Sequence, residues 1–241
     1  MQRLYSFVII IFILAVVAVG GFWTFRSQQA SAPSEQASFF ADSTPLDGST
    51  LPASPTAVVL NFTSDVTRVE SFTLQSESGE VITSAEPLID ELATTVRLPL
   101  DQQLADGSYR ADFTICFGDE QCQEGSLEFA VDRAALEAFT DLRGQPTVSI
   151  DLDQLAFNPA NVIVSPGTTV TWKNLEGLEH YVNTDTHPYH TYEFDMNSRK
   201  LNLDDEFSHT FEQAGAYPYH CSAHADVMAG TIVVDDGQDP V

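Results

Sequence analysis

The sequence predicts an all-β protein in which two tandem β-sandwich domains follow an N-terminal transmembrane helix. Three observations support this prediction: an uncharged apolar run at Leu4–Phe25, a series of short strand-like runs from residue 57 onward, and one helix-like pattern that divides that series in two. The expected segments are an anchor or signal at 1–26, a flexible linker at 27–38, a first sandwich at 39–132, an interdomain linker with a short helix at 133–145, and a second sandwich at 146–241.

The apolar run suits a membrane span. Its 22 residues lie between Arg3 and Arg26, and as a helix they would be about 33 Å long, enough to cross a hydrocarbon core of about 30 Å. A cleaved signal peptide is the alternative, because Ala30-Ser31-Ala32 has the small-x-small form that a signal peptidase accepts. Both alternatives export the rest of the chain, so we expect a single-pass protein of the cell membrane with periplasmic or extracellular domains.

The linker and the first sandwich are each predicted from a local sequence pattern. Ser27 to Ser38 is rich in Ser, Gln and Ala without periodicity, as in flexible linkers. Runs such as Val58–Phe62, Tyr109–Phe117 and Leu127–Val131, separated by turn residues, predict the strands of the first sandwich.

The junction and the second sandwich follow. Arg133 to Arg143 is the one plausible helix, with Asp132 as N-cap and Gly144 as the stop signal. The second sandwich begins with the alternating residues Val148, Ile150 and Leu152 and ends with strands at 217–221 and 231–234.

The overall charge excludes one class of partner. The 241 residues contain 10 Lys+Arg against 35 Asp+Glu, a formal net charge of −25. Nucleic acid is therefore an unsuitable partner, because an anionic surface repels phosphate groups. Residues 146 to 241 contain 3 basic and 15 acidic side chains, a net charge of −12, so a protein partner is expected to present a basic docking surface.

Two of the three cysteines lie close together. Cys116 and Cys122 flank a short turn, where a disulfide could close a hairpin in an oxidising compartment. A pair of soft metal ligands is the alternative, although no histidine precedes His180 to complete such a site.

The third cysteine lies in a group of metal-binding residue types. Cys221, His224 and Met228 occur within eight residues. This combination suits copper, because sulfur ligands favour Cu(I) and imidazole serves both oxidation states. A second imidazole must come from elsewhere, and His180 is the candidate, just beyond the end of a strand. Taken singly, a buried Cys, Met or His is more often an ordinary core residue.

The sequence from Phe157 to Val234 resembles the cupredoxins, the blue copper family of plastocyanin, amicyanin, azurin and halocyanin. The resemblance is carried by an ordered pattern: Phe157-Asn158-Pro159, Val162-x-Val164-x-x-Gly167-x-x-Val170-x-Trp172-x-Asn174, His180, Phe194-Asp195, Phe207-x-x-Thr210-Phe211, Gly215-x-Tyr217-x-Tyr219-x-Cys221-x-x-His224, Met228 and Gly230. It implies a Greek-key sandwich with one type 1 copper ion, His180, Cys221 and His224 as strong ligands, and Met228 as the weak axial ligand. Three residues separate His224 from Met228, as in azurin, whereas the Cys-x2-His spacing is similar to plastocyanin.

The ligand set implies a redox carrier rather than an enzyme. Four protein ligands leave no open coordination position for a substrate. By resemblance, electrons would leave through the exposed edge of His224, near Leu178, to a cytochrome, an oxidase or another electron carrier. The leading function is a membrane-anchored electron shuttle. A copper storage or delivery protein is the alternative, and an adhesion module without metal is a third candidate.

A further group of histidines is a candidate second metal site. His220 directly precedes Cys221, as in copper nitrite reductases and multicopper oxidases, where the equivalent histidine binds another copper. Adjacent strand residues face opposite sides, so His220 is not expected on the same ion as Cys221. It could join His187 and His190; the alternative is that all three are surface histidines without a metal.

The first sandwich resembles the copper-resistance protein CopC, an immunoglobulin-like sandwich. The resemblance rests on Ser43-Thr44-Pro45-Leu46-Asp47-Gly48-Ser49-Thr50-Leu51, Pro55-x-x-Val58-x-Leu60-x-Phe62 and Leu104-x-x-Gly107-x-Tyr109. The copper ligands of that family are missing, because its Asp-Gly-His stretch appears here as Asp119-Glu120-Gln121 and the region contains neither His nor Met. A spacer or docking module is therefore expected.

Overall fold

A computed structural model describes residues 38–82, 84–118 and 121–238. The expected anchor or signal at 1–26 and nearly all of the linker at 27–38 lie outside these residues, as do Asp119 and Glu120. Within the described residues, no helix is both long and apolar enough to cross a membrane. The described part is nearly all β-structure, in two tandem sandwich-like domains.

Two four-stranded sheets form the first domain, in the orders β1-β3-β6-β5 and β2-β8-β7-β4. Its central hairpin, β7 and β8, alternates buried and more exposed residues because one face packs on the other sheet. The strands are β1 (Phe40–Thr44), β2 (Ser49–Leu51), β3 (Ala57–Phe62), β4 (Val66–Ser76), β5 (Leu88–Ile89), β6 (Thr95–Pro99), β7 (Gly107–Phe117) and β8 (Gln121–Val131).

Cys116 and Cys122 pair opposite each other on β7 and β8 and form a disulfide. The prediction of a disulfide is thereby confirmed, and both sulfurs are excluded as metal ligands.

The second domain also has two sheets, in the orders β11-β10-β13-β15 and β14-β16-β17-β12-β9. The predicted alternation is present: Val148, Ile150 and Leu152 are buried, and their neighbours on β10 are more exposed. The strands are β9 (Thr140–Asp141), β10 (Thr147–Asp153), β11 (Ala156–Asn158), β12 (Asn161–Val164), β13 (Thr168–Asn174), β14 (Asn183–Thr184), β15 (Glu206–Phe211), β16 (Gly215–His220) and β17 (Ala229–Val234).

Trp172 on β13 lies at the centre of the second core. It is fully buried, and its ring contacts those of Phe207, Phe211 and Tyr219, whose centroids are 5.6 to 6.4 Å away. The same cluster contains Cys221, one residue beyond β16. The end of β16 is therefore held against the buried cluster that contains Trp172.

The predicted helix at 133–143 is wrong in type and length. A 3₁₀ helix covers only Arg133–Ala138, and the predicted N-cap Asp132 accepts a hydrogen bond from the Ala134 backbone N–H at 3.0 Å. The chain then enters β9, which pairs with β12 in parallel. Tertiary pairing has overridden the helical spacing of the apolar residues here. A second 3₁₀ helix lies at Phe194–Met196.

The two domains share packing and hydrogen bonds. Ala57 and Val59 of β3 belong to the core cluster of the second domain. The Ala216 backbone N–H donates to the Ser54 carbonyl at 2.8 Å. The first domain therefore packs directly against the second.

Candidate metal centre

Cys221 sits at the point where β16 ends, with its side chain in the core. Its backbone N–H donates to the Met228 carbonyl at 3.0 Å, and the Met228 N–H donates back to the His224 carbonyl at 2.9 Å. These bonds close the loop from 221 to 228 into a compact turn. Met228 is buried in the same cluster as Cys221, so the turn gathers three of the four predicted ligands.

Gly230 permits this turn to return onto β17. A β-carbon at this position would lie 2.2 Å from the Ala160 carbonyl oxygen, a distance that no side chain can accommodate.

His180 reaches the same place from the other side of the sandwich. Its backbone forms a two-way bridge with Leu201, with bonds of 3.0 and 2.9 Å. Asn174, at the end of β13, donates its side-chain amide to the carbonyls of Leu178 and Leu201 at 2.8 and 3.0 Å. The His180 loop is therefore anchored at both ends.

The donor atoms of these residues converge. The Cys221 Sγ lies 3.6 Å from His180 Nδ1 and 3.5 Å from His224 Nδ1. A sulfur about 2.3 Å and a nitrogen about 2.0 Å from one ion, at a tetrahedral angle, would be separated by about 3.5 Å. The Cys221 sulfur thus stands from each ring nitrogen at the spacing that a single bound ion requires, and all three donors lie within 4.8 Å of one another.

Two surrounding groups fix the donors, and sequence analysis missed both. The Glu176 carboxylate accepts from His180 Nε2 at 2.8 Å, which leaves Nδ1 as the free donor of that ring. The pKa of Glu176 lies below its ordinary value, first because the Leu155 backbone N–H donates a hydrogen bond to the carboxylate and also because the His180 ring donates one. The Tyr181 backbone N–H points at the Cys221 Sγ, 3.3 Å away. Glu176 lies four residues before His180, a spacing that could have suggested the contact.

A second group of imidazoles lies on the opposite side of β16. His187, His190 and His220 each offer a ring nitrogen, and these nitrogens all lie within 4.8 Å of one another. Burial, followed by the neighbouring His220 and His187, lowers the pKa of His190 to about 4. Every histidine of the predicted candidate second site is therefore in one cluster. His209 lies in neither cluster; its ring packs on Phe211.

The second domain is similar to known copper proteins. Residues 145–235 match the family model for copper binding proteins of the plastocyanin/azurin family. Amicyanin-alpha from Methylorubrum extorquens is 30% identical over 110 residues, which cover 46% of this chain and 89% of that protein. Plastocyanin from Scenedesmus fuscus is 33% identical over 98 residues, covering 36% of this chain and 97% of that protein.

The chain belongs to the plastocyanin/azurin family. Its cofactor is copper, and the sulfur and nitrogen donors described above fit that ion. The resemblance stated from sequence is thereby confirmed.

The first domain of this plastocyanin/azurin-family protein matches a CopC domain over residues 40–132. The solved structure of CopC from Methylosinus trichosporium OB3b is 27% identical, with a TM-score of 0.35, and the alignment covers 40% of this chain and 94% of that one. The order of domains expected from sequence, a CopC-like unit and then a cupredoxin, is confirmed.

Proposed function

We propose that this protein is a membrane-anchored, extracytoplasmic type 1 copper protein that carries single electrons between redox partners. The observation that supports it is the convergence of one sulfur and two ring nitrogens at 3.5 to 3.6 Å. We propose that His180, Cys221, His224 and Met228 would hold the copper ion. A bound copper ion would supply a one-electron couple between Cu(I) and Cu(II).

The chain's own contribution is to hold the donors still. Glu176 fixes the tautomer of His180, the Tyr181 N–H stabilises negative charge on the Cys221 sulfur, and the 221–228 turn is closed by backbone hydrogen bonds. Donors fixed in this way need to move little when the metal changes charge. Rapid electron exchange follows from that rigidity, and four protein donors leave no coordination position for a substrate.

The surface near His224 suits contact with a partner. His224 itself is half-buried, whereas Leu178 and Val227 are exposed. The acidic charge of the domain, −12 over residues 146 to 241, favours a redox protein with a basic docking surface. Electrostatic steering of this kind increases association rates at low salt.

The decisive experiment is stopped-flow electron exchange between the copper-loaded, reduced full-length chain and an oxidised basic c-type cytochrome. We expect a second-order rate that falls about tenfold or more from low to physiological salt, while the copper stays bound through many turnovers. An exchange rate unaffected by salt would contradict the basic docking surface.

Copper storage or delivery is the second candidate, favoured by the CopC domain at 40–132. It predicts that copper passes from the loaded chain to an acceptor protein or chelator faster than electrons pass to the cytochrome. The first domain contains neither His nor Met, so such delivery would also depend on the donors of the second domain.

The membrane anchor is part of the proposal and is tested separately. We expect the chain to be recovered from washed membranes with residues 4–25 intact. N-terminal sequencing that begins near residue 33 would instead show that a signal peptide has been removed.

A further inference from the structure

We propose that His187, His190 and His220 form a second metal site, which binds one copper(II) ion through three imidazoles. This site is separate from the donors around Cys221 and does not depend on the proposed electron-transfer function.

The spacing of the three rings fits one ion. His190 Nε2 and His220 Nε2 are 3.2 Å apart, and two nitrogens about 2.0 Å from one metal in tetrahedral geometry would be about 3.3 Å apart. The three ring centroids form a nearly equilateral triangle with sides of 5.1, 5.4 and 5.5 Å. A hydrogen bond between His190 and His220 would not by itself place the His187 ring at a similar distance from both. A shared metal ion would explain the position of all three rings.

His220 is oriented as a metal ligand. Its Nδ1 faces the Asp185 Oδ1 at 3.1 Å, so Nδ1–H donates to the carboxylate and the lone pair remains on Nε2, the atom that faces His190. An imidazole whose outer nitrogen donates to a carboxylate is the usual arrangement around protein-bound metals. The Asp185 charge would also offset part of the charge of a divalent ion.

Strand geometry keeps the two sites apart. Adjacent residues of a strand face opposite sides, so Tyr219 and Cys221 enter the core while His220 faces the loop that follows β14. That loop carries His187 and His190, and β14 pairs with β16 at the His220 position through Asn183. One strand end thus serves two sites on opposite faces.

The loop is held from both domains. Within the second domain, the His190 N–H donates to the Thr186 carbonyl, and the Asn197 side-chain amide donates to the His190 carbonyl, both at 2.8 Å. From the first domain, the Arg97 guanidinium donates to the Thr191 carbonyl at 2.9 Å.

The side chain of Thr191 also binds the first domain, since its hydroxyl donates to the Asn61 Oδ1 at 2.8 Å. The residue next to His190 is therefore fixed by two side chains of the CopC-like domain. We infer that holding this loop is a structural role of that domain.

Donor chemistry selects the ion. Three imidazoles suit copper or zinc, and in the Irving–Williams order copper(II) binds such a site more tightly than zinc. Three donors are one fewer than tetrahedral coordination needs, and His187 is exposed. The solvent side is thus where a water molecule or small anion would complete the coordination.

The experiment measures copper bound per full-length chain after loading with Cu(II) and desalting. We expect two ions in the wild type, one in the His187→Gln/His190→Gln double variant with its visible band intact, and one in Cys221→Ser with that band lost. His209→Gln is the matched control, because it removes a histidine outside both clusters, and it should retain two.

The visible band of the double variant shows whether the second domain has folded, so a lost ion cannot be mistaken for unfolding. Nitrogen hyperfine splitting in the EPR spectrum of Cys221→Ser should report several imidazole ligands. One ion in the wild type, with the double variant unchanged, would overturn the proposal and leave the three rings as a hydrogen-bonded cluster. If the site of His187, His190 and His220 kept zinc in the presence of an equal concentration of copper(II), the choice of metal would be overturned.

Discussion

The two sandwiches are built in similar ways but differ in their chemistry. Each packs two β-sheets around one apolar core. All six histidines and the free Cys221 belong to the second domain, whereas the two cysteines of the first are joined to each other. The sandwich fold alone therefore does not determine copper binding; the side chains at strand ends and in loops do.

The comparison also shows what the first domain contributes. Asn61 and Arg97 lie on its strands and bind Thr191, in the loop that carries His187 and His190, and Thr56, just before β3, binds the Tyr192 hydroxyl. A domain that contains neither His nor Met thereby shapes a part of its neighbour that contains histidines.

The largest expected effect is a loss of stability, and its influence on the copper site should differ between the cores of the two domains. Trp172→Ala should lower the free energy of unfolding by about 3 to 5 kcal/mol, because a fully buried ring is lost from the second core. Copper colour should then disappear at a lower temperature in a thermal melt. Phe62→Ala, the matched change in the first core, should destabilise the chain to a similar degree while the copper band at 25 °C stays intact. Equal loss of the band at 25 °C in both variants would contradict separate cores.

Removing the disulfide should act on the first domain alone. Cys116→Ser/Cys122→Ser should cost about 2 to 3 kcal/mol of stability by releasing a short loop in the unfolded chain. Denaturant unfolding followed by circular dichroism measures this loss. The visible spectrum with Cu(II) should be unchanged, and a shifted band would show that these sulfurs influence the copper site.

Tyr192→Phe should weaken the contact between the domains. The Tyr192 hydroxyl accepts from the Thr56 N–H at 2.8 Å and donates to the Ala216 carbonyl at 2.9 Å, and its loss should cost about 1 to 2 kcal/mol. We also expect weaker retention of the second copper ion, measured by metal analysis. Tyr109→Phe is the control, since its hydroxyl bonds only within the first domain, to the Ala105 carbonyl. If both variants lose the second ion equally, the contact between domains does not support the loop.

The smallest expected effect concerns Glu176. Glu176→Gln keeps an oxygen near His180 but removes the charge, and copper affinity at the Cys221 site should fall about tenfold. Competition with a chelator, monitored at the visible band, measures it. Glu206→Gln removes an exposed carboxylate paired with Lys173 and should leave affinity unchanged. Equal affinities in the two variants would exclude a role for Glu176 in orienting His180.

Much of the fold was readable from local patterns. Alternation at Val148, Ile150 and Leu152 predicted β10 because one face of that strand is buried. The secondary structure of the junction between the domains could not be predicted from local patterns, since residues 140–141 pair with β12 rather than continuing a helix. That choice depends on a strand about 20 residues further along the chain, which local spacing does not reveal.

Part of the candidate site could likewise be predicted from local sequence, and part could not. Cys221, His224 and Met228 are close in sequence, so their spacing predicted a shared site. Glu176 and Asp185 could not be assigned from their residue types, because acidic residues are common on this chain and only the folded loops show which ones face a ring. The role of Arg97 and Asn61 beside Thr191 could not be predicted from sequence, since 94 and 130 residues separate them from Thr191.

The most direct test of the central claim is the visible and EPR spectrum of the full-length chain with Cu(II), recorded for the wild type and for Cys221→Ser. The account predicts an intense blue or green band in the wild type, arising from the Cys221 thiolate, and its complete loss in the variant. A colourless wild-type complex, or a band that survives in Cys221→Ser, would contradict the assignment of Cys221 as a copper ligand.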